Sequence, residues 1–305
     1  MKKCIIFIIA VFLVLPFIVS CKGAPPPSLP VAPEAETPPP LPPPPPPPPA
    51  VDTSAPVLTV RLSPQPFSPD GDGVDDVLTV SINVNTKSDI QSWHIEIREP
   101  APGSQLFSEW SGQGAPPETL TWDGLNAAGE LVQSATDYQF SLNVTNIHNN
   151  TANFQGTTAV DVLVRREPGD VLRVIVPSIV FGSNVGDFSG LNAETRSAND
   201  RILRRIAEVL QRYESYQIKV EGHANPTTAP GTSARNDEER GTNSVIGLQP
   251  LSEERARTVL NYLVTLGVEQ ARLTAVGVGG TRPVATFADR ANWWKNRRVE
   301  FILVK

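Results

Sequence analysis

The 305 residues carry 26 Lys and Arg against 32 Asp and Glu, a formal net charge of −6. A mildly acidic chain lacks the dense basic surface that nucleic-acid binding requires, so no nucleic acid is expected as a partner. The two cysteines, Cys4 and Cys21, both stand near the start, which excludes a disulfide-stapled scaffold, and the remaining length suits two domains of ordinary size.

The chain opens with Lys2 and Lys3, then an almost unbroken apolar run from Ile5 to Val19. A run of about 15 residues is too short to span a ~30 Å hydrocarbon core comfortably and reads as a secretory signal over residues 1–20. Its end, Ile18-Val19-Ser20-Cys21, resembles the lipobox of bacterial lipoproteins. That resemblance implies cleavage before Cys21 and lipidation of its thiol, with Ile18 and Ser20 standing where Leu and Ala or Gly are commoner. Cys4 is lost with the signal, so the remaining cysteine serves as an attachment point and not as a staple. Each acyl CH₂ contributes ~0.8 kcal/mol of membrane affinity, so several chains together anchor firmly. Lys22 is not the aspartate that marks inner-membrane retention in some bacteria, which points to an outer-membrane anchor with the domains in the periplasm.

Residues 21–55 read as a lipidated cysteine followed by a linker. Of the 31 prolines, 16 fall between Pro25 and Pro49. Proline fixes φ and donates no amide hydrogen, so this segment forms neither helix nor sheet. A polyproline II rod rising ~3.1 Å per residue gives a spacer on the order of 100 Å.

From 56 to 166 the texture is all-β. Val57–Leu62, Val77–Val84, Trp93–Ile97, Tyr138–Val144 and Val160–Val164 alternate or cluster β-branched and aromatic residues between Gly, Pro, Asn and Asp, which predicts a soluble sandwich of short strands. Phe67-Ser68-Pro69-Asp70-Gly71-Asp72-Gly73-Val74-Asp75-Asp76, Trp122-Asp123-Gly124, Gly129 and Tyr138 resemble the immunoglobulin-like module of flagellar hook-capping and gliding-motility C-terminal families, which implies a spacer or docking unit without catalysis. Asp70, Asp72, Asp75 and Asp76 offer the hard oxygens of a calcium loop. They lack the bidentate Glu of an EF-hand, so an Asp-Gly turn is the preferred reading, with bound calcium the lesser alternative and no other cofactor expected.

Residues 168–305 alternate strand and helix. Val171–Phe181 reads as a strand, Asn199–Tyr213 as a helix with Ile202, Ile206, Val209 and Leu210 on one face, and Gln217–Glu221 as a strand. Ser252 is the expected N-cap of a helix whose stripe is Val259, Leu260, Leu263 and Val264, ended by Gly267; strands follow at Leu273–Val278 and Val299–Val304. The expected fold is therefore multidomain: an all-β immunoglobulin-like sandwich, then an α/β domain of order βαβαββ with helices on one face.

Val220-Glu221-Gly222-His223, Leu251-Ser252-Glu253-Glu254-Arg255-Ala256 and Asn296-Arg297-Arg298-Val299-Glu300, in this order, resemble the OmpA-like C-terminal family. Its members bind peptidoglycan non-covalently through the diamino acid of the stem peptide, without enzymatic activity. The resemblance implies that Arg255, near the start of a helix capped by Ser252, and Arg297 meet a carboxylate, while Asn184 makes a polar contact after the first strand. Asn225 stands at the aspartate that meets the ammonium, and Leu248 replaces an asparagine three places before the Leu-Ser pair. The long polar segment between Asn225 and Leu251 offers Asp237, Glu238 and Glu239 as substitute acids. His223 reads as a packed strand-end residue, and Trp293 and Trp294 as packing beneath the last strand. Two functions follow: a lipoprotein tethering the membrane to peptidoglycan, or a divergent scaffold binding other envelope proteins. A hydrolase is not expected, since neither a nucleophile–base set nor an HExxH-type motif is present.

Overall fold

The computed structural model describes residues 54–100, 104–242 and 245–305. The secretory signal, Cys21 and the proline-rich linker lie outside them.

The first half contains β1 (Val57–Ser63), β2 (Leu78–Asn85), β3 (Ile90–Arg98), β4 (Leu106–Gln113), β5 (Thr119–Trp122), β6 (Asp137–Asn146) and β7 (Thr151–Ala159). They form two antiparallel sheets, β1-β2-β5 and β4-β3-β6-β7. Period-2 alternation sends Leu78, Val80 and Ile82 of β2, Ile95 and Ile97 of β3 and Tyr138, Phe140, Leu142 and Val144 of β6 into one shared core. The expected strands at 57–62, 77–84, 93–97 and 138–144 are present. Val160–Val164 is not a sheet strand. It is a connector whose Val160 and Leu163 enter the sandwich core while Val162 enters the next one. Strands β4, β5 and β7 escaped the sequence reading because each buries a single side chain fully and is otherwise dominated by polar and small residues, so its apolar alternation is faint.

The second half contains β8 (Arg165–Glu167), β9 (Val171–Val176), α1 (Ala193–Arg212), β10 (Gln217–His223), α2 (Ser233–Arg240), β11 (Gly241–Thr242), β12 (Val245–Ile246), α3 (Leu248–Thr265), β13 (Leu273–Gly279) and β14 (Val299–Val304). The five-stranded sheet runs β13-β10-β14-β9-β8, with β10 and β13 parallel and the other pairs antiparallel. Leu203, Ile206 and Leu210 of α1 and Ala256, Val259 and Leu263 of α3 pack with Val174, Val220 and Phe301 of the sheet in one core. Strand β9 stops at Val176 and not at Phe181, because Pro177 has no amide to extend the ladder. Helix α1 starts six residues before Asn199, with Asn192 accepting a hydrogen bond from the Thr195 amide at 2.8 Å; its first turns are polar and carry no apolar stripe. The long polar segment folds into α2 and the β11–β12 hairpin. None of the described helices is long and apolar enough to cross a membrane.

The halves are joined by more than the connector. Lys295 Nζ lies 2.5 Å from Glu99 Oε1 and 2.7 Å from Glu130 Oε1 of the sandwich. Arg205 of α1 grips Asp161 with two hydrogen bonds of 2.7 and 2.5 Å.

Candidate functional site

Helix α3 is capped by Gly247, not Ser252, and begins at Leu248. Pro250 falls in its first turn, where the missing amide donor costs nothing. Ser252 is buried inside the helix, donating its hydroxyl to the Gln249 carbonyl at 2.8 Å and accepting from the Gly279 amide at 2.8 Å. Arg255 consequently sits two turns into α3, and the free amides of a helix start do not assist it. Its guanidinium is held by the loop after β9: Nε donates to the Val185 carbonyl at 3.2 Å, Nη2 donates to the Gly182 carbonyl at 3.1 Å, and the group lies 5.1 Å from the Phe181 ring centroid. Arg255 is only 8% exposed and, among the described residues, faces no carboxylate. Burial first, then the charge of Arg297, pull its pKa down to about 10.

That repulsion reports proximity: Arg255 and Arg297 line one cavity of about 830 Å³. Arg297 is exposed at the cavity mouth, and partial desolvation lowers its pKa too. The other predicted residues are placed differently. Asn225 accepts from the Asn296 amide at 2.9 Å and donates to the Pro226 carbonyl at 3.2 Å, and it does not line the cavity. Asn184 is exposed with φ +55° in the turn that presents Gly182 and Val185 to Arg255, and it does not line the cavity either. The acids of the inserted segment are committed elsewhere. Glu238 accepts from the amides and hydroxyls of Thr227 and Thr228, and Glu239 accepts from the Gly280 amide and pairs with Arg235; Asp237 is exposed and outside the cavity.

A model of the OmpA family matches residues 191–297. A peptidoglycan-associated lipoprotein of Pseudomonas putida is 36% identical over 133 residues, covering 41% of this chain and 76% of that protein. The chain belongs to the OmpA family. A second peptidoglycan-associated lipoprotein, from Pseudomonas aeruginosa, is 34% identical over 133 residues, 41% of this chain and 75% of its own length. Among solved structures, a MotB-like protein of Desulfovibrio vulgaris shares 26% identity over 47% of this chain and 81% of that one, at a TM-score of 0.36. The residues matched by the family model lie within the α/β half, outside the sandwich.

Beside the OmpA-family residues lies a feature that sequence reasoning missed: the sandwich forms one wall of the cavity, through Ala135, Thr136, Asp137 and the 159–162 segment. No sequence periodicity encodes such a tertiary meeting. The two tryptophans also depart from expectation. Both are only partly buried in the 3₁₀ segment Arg290–Asn296; Trp293 packs on Phe287 and Arg290, and Trp294 lines the cavity.

Among the described residues, three groups bring metal-type ligand atoms together. Glu221, His223 and Glu300 converge on the sheet face away from the helices. Their carboxylates already receive Arg282 at 2.5 Å, Arg173 at 2.6 Å and Arg298 at 2.7 Å, so a metal would face a ring of guanidinium charge. His94, Glu96 and Glu109 lie at the sandwich surface, with His94 Nε2 3.0 Å from Glu109. Of the aspartate loop, Asp70, Asp72 and Asp76 come together while Asp75 does not. Asp76 accepts from the Gly71 and Gly73 amides at 2.8 and 2.7 Å, and Asp72 accepts from the Val74 amide at 2.8 Å, which are the bonds of a self-capped turn.

Proposed function

We propose that this chain is a non-catalytic envelope lipoprotein that ties a membrane to peptidoglycan, with a lipid on Cys21, a proline-rich spacer over 21–55, an immunoglobulin-like sandwich over 56–166 and a wall-binding domain over 168–305. Strand β8 straddles the border between the last two. The lipid is placed in the outer membrane and the domains in the periplasm. One observation carries the reading: Arg255 is a buried cation with no counter-anion among the described residues, sharing a cavity with a second arginine. Such a group is costly unless a ligand supplies the negative charge. A carboxylate of the peptidoglycan stem peptide does so, and the guanidinium fork binds it with charge-assisted hydrogen bonds. The names of the P. putida and P. aeruginosa relatives support the same ligand.

A second reading, an envelope scaffold that has lost the wall, is favoured by Asn225, a neutral group bonded to Asn296. Sedimentation with purified sacculi separates the two. The full chain is expected to pellet with sacculi, Arg255→Ala to remain in the supernatant, and Arg297→Ala to pellet weakly. If the parent protein stays soluble beside sacculi, the scaffold reading replaces the tether.

A further inference from the structure

The cavity solves the problem that Asn225 creates. A diamino acid presents an ammonium as well as a carboxylate, and in this chain neither Asn225 nor Asp237, Glu238 or Glu239 lines the cavity with an anion to offer it. Among the described residues, the acids that do line it are Asp137 and Asp161, both from the sandwich half. Asp161 is consumed: its two oxygens accept from Arg205, and one also accepts from the Val162 amide at 2.7 Å. Asp137 is exposed, and among the described residues its carboxylate has no hydrogen-bond or ion-pair partner.

We infer that Asp137 receives the ammonium of the ligand whose carboxylate is held by Arg255 and Arg297, so that the binding site is completed by the sandwich. The inference rests on the wall-binding reading above and adds to it a specificity-determining residue from a second domain. The backbone is suited to the task. Asp137 opens β6, in register with Ala159 of β7, between the buried Thr136 and Tyr138. The Val160 amide donates to the Thr136 carbonyl at 3.1 Å and the Ala135 amide to the Asp161 carbonyl at 2.9 Å, so the residues before Asp137 are fixed. A carboxylate at the start of a strand, lining the same cavity as two guanidinium groups, supplies the charge types that a zwitterion receptor needs. Such a receptor recognises an ammonium and a carboxylate together better than either alone.

The test uses the full chain and three synthetic stem tripeptides, titrated calorimetrically. The first ends in diaminopimelate, the second in diaminopimelate with its side-chain amine acetylated, and the third in lysine, which keeps the ammonium and lacks the second carboxylate. The parent protein is expected to bind the first most tightly. Asp137→Asn should weaken the first about tenfold, the difference between a charged and a neutral hydrogen-bond acceptor, and leave the acetylated peptide unchanged. Arg255→Ala should abolish binding of both. Unchanged affinity of Asp137→Asn for the diaminopimelate peptide overturns the assignment while leaving the wall-binding reading intact. An equal loss for the acetylated peptide also overturns it, because a disturbed cavity wall and not a lost ion pair is then responsible. Failure of the parent protein to bind any of the three, or sacculi, removes both readings together.

Discussion

At the scale of single residues, His223 shows what burial does to a titrating group. It is 2% exposed at the end of β10, its Nε2 3.7 Å from Glu221 and 3.5 Å from Glu300, and neither ring nitrogen has a hydrogen-bond partner. Burial, and after it the charge of Arg298, push its pKa down to about 4, with Arg282 acting in the same direction and Glu300 and Glu221 opposing. The unfolded chain protonates this ring near pH 6.5 and the folded one near 4, so between those values the unfolded state binds more protons. Stability contributed by the neutral ring is complete above pH 6.5 and is lost as pH falls through that window, at up to ~1.4 kcal/mol per unit and on the order of 3 kcal/mol in all. His223→Asn should flatten the fall in urea-unfolding free energy between pH 6.5 and 4. Below that range a residual fall should persist in both proteins, since the Glu300 carboxyl, pushed up by burial but lowered on balance by Arg298, still titrates there. An undiminished slope in the variant would assign the acid lability to another group. The packing of His223 was legible from its position at a strand end; that neither ring nitrogen finds a partner among the described residues was not, because it depends on how β14 pairs with β10. Arg255 and Arg297 were legible for a different reason: they stand inside ordered motifs whose spacing survives in this chain. Asn225 was identified by the same motif, but its partner Asn296 lies 71 residues away, and no local pattern announces that hydrogen bond.

At the scale of elements, the informative contact is between α3 and the β10–β13 pair. A Cβ on Gly222 would collide with the Ser252 carbonyl, and one on Gly277 would come within 2.5 Å of the Gln249 carbonyl. The helix therefore lies directly on the sheet backbone at two glycines. Gly222→Ala should cost about 3 kcal/mol, the upper range for overpacking, because the obstacle is backbone and cannot rotate away. Ser252→Ala should cost about 1–3 kcal/mol through the orphaned Gly279 amide, while leaving the helix start intact. Chemical denaturation of both variants measures these losses. A large drop in helix content for Ser252→Ala would instead favour a capping role. Here the sequence misled through a real signal: a serine before an apolar stripe looks like a cap, and only Gly247 at a φ of −74° and ψ of 161° reveals that the helix begins a turn earlier. The apolar stripes of α1 and α3 and the alternation of β2, β6 and β10 were readable because each buries one continuous face. Strands β4, β5 and β7, each with a single fully buried side chain, were not.

At the scale of the whole molecule, Lys295 sits where the halves meet. It is 6% exposed, in the 3₁₀ segment before the last strand, and its ammonium lies between Glu99 and Glu130 of the sandwich. Glu99 is itself 4% exposed, so removing the cation leaves a carboxylate buried without its partner. Breaking a buried pair from one side costs about 3–5 kcal/mol, whereas replacing both members with apolar groups is often neutral. Lys295→Met should accordingly destabilise the junction, and calorimetric unfolding, expected as one transition in the parent chain, should split into two. Adding Glu99→Leu should restore the single transition. The same pair of variants reaches the cavity, because Asp137 lines it together with Arg255 and Arg297 only while the sandwich is docked. Lys295→Met should therefore weaken binding of the diaminopimelate tripeptide at constant affinity for its acetylated form, and the double variant should recover it. If the single variant unfolds in two steps yet binds the free-amine peptide at full strength, the ammonium is received within the α/β half and the sandwich is a spacer. If stability and peptide preference fall and return together, the junction is part of the recognition site.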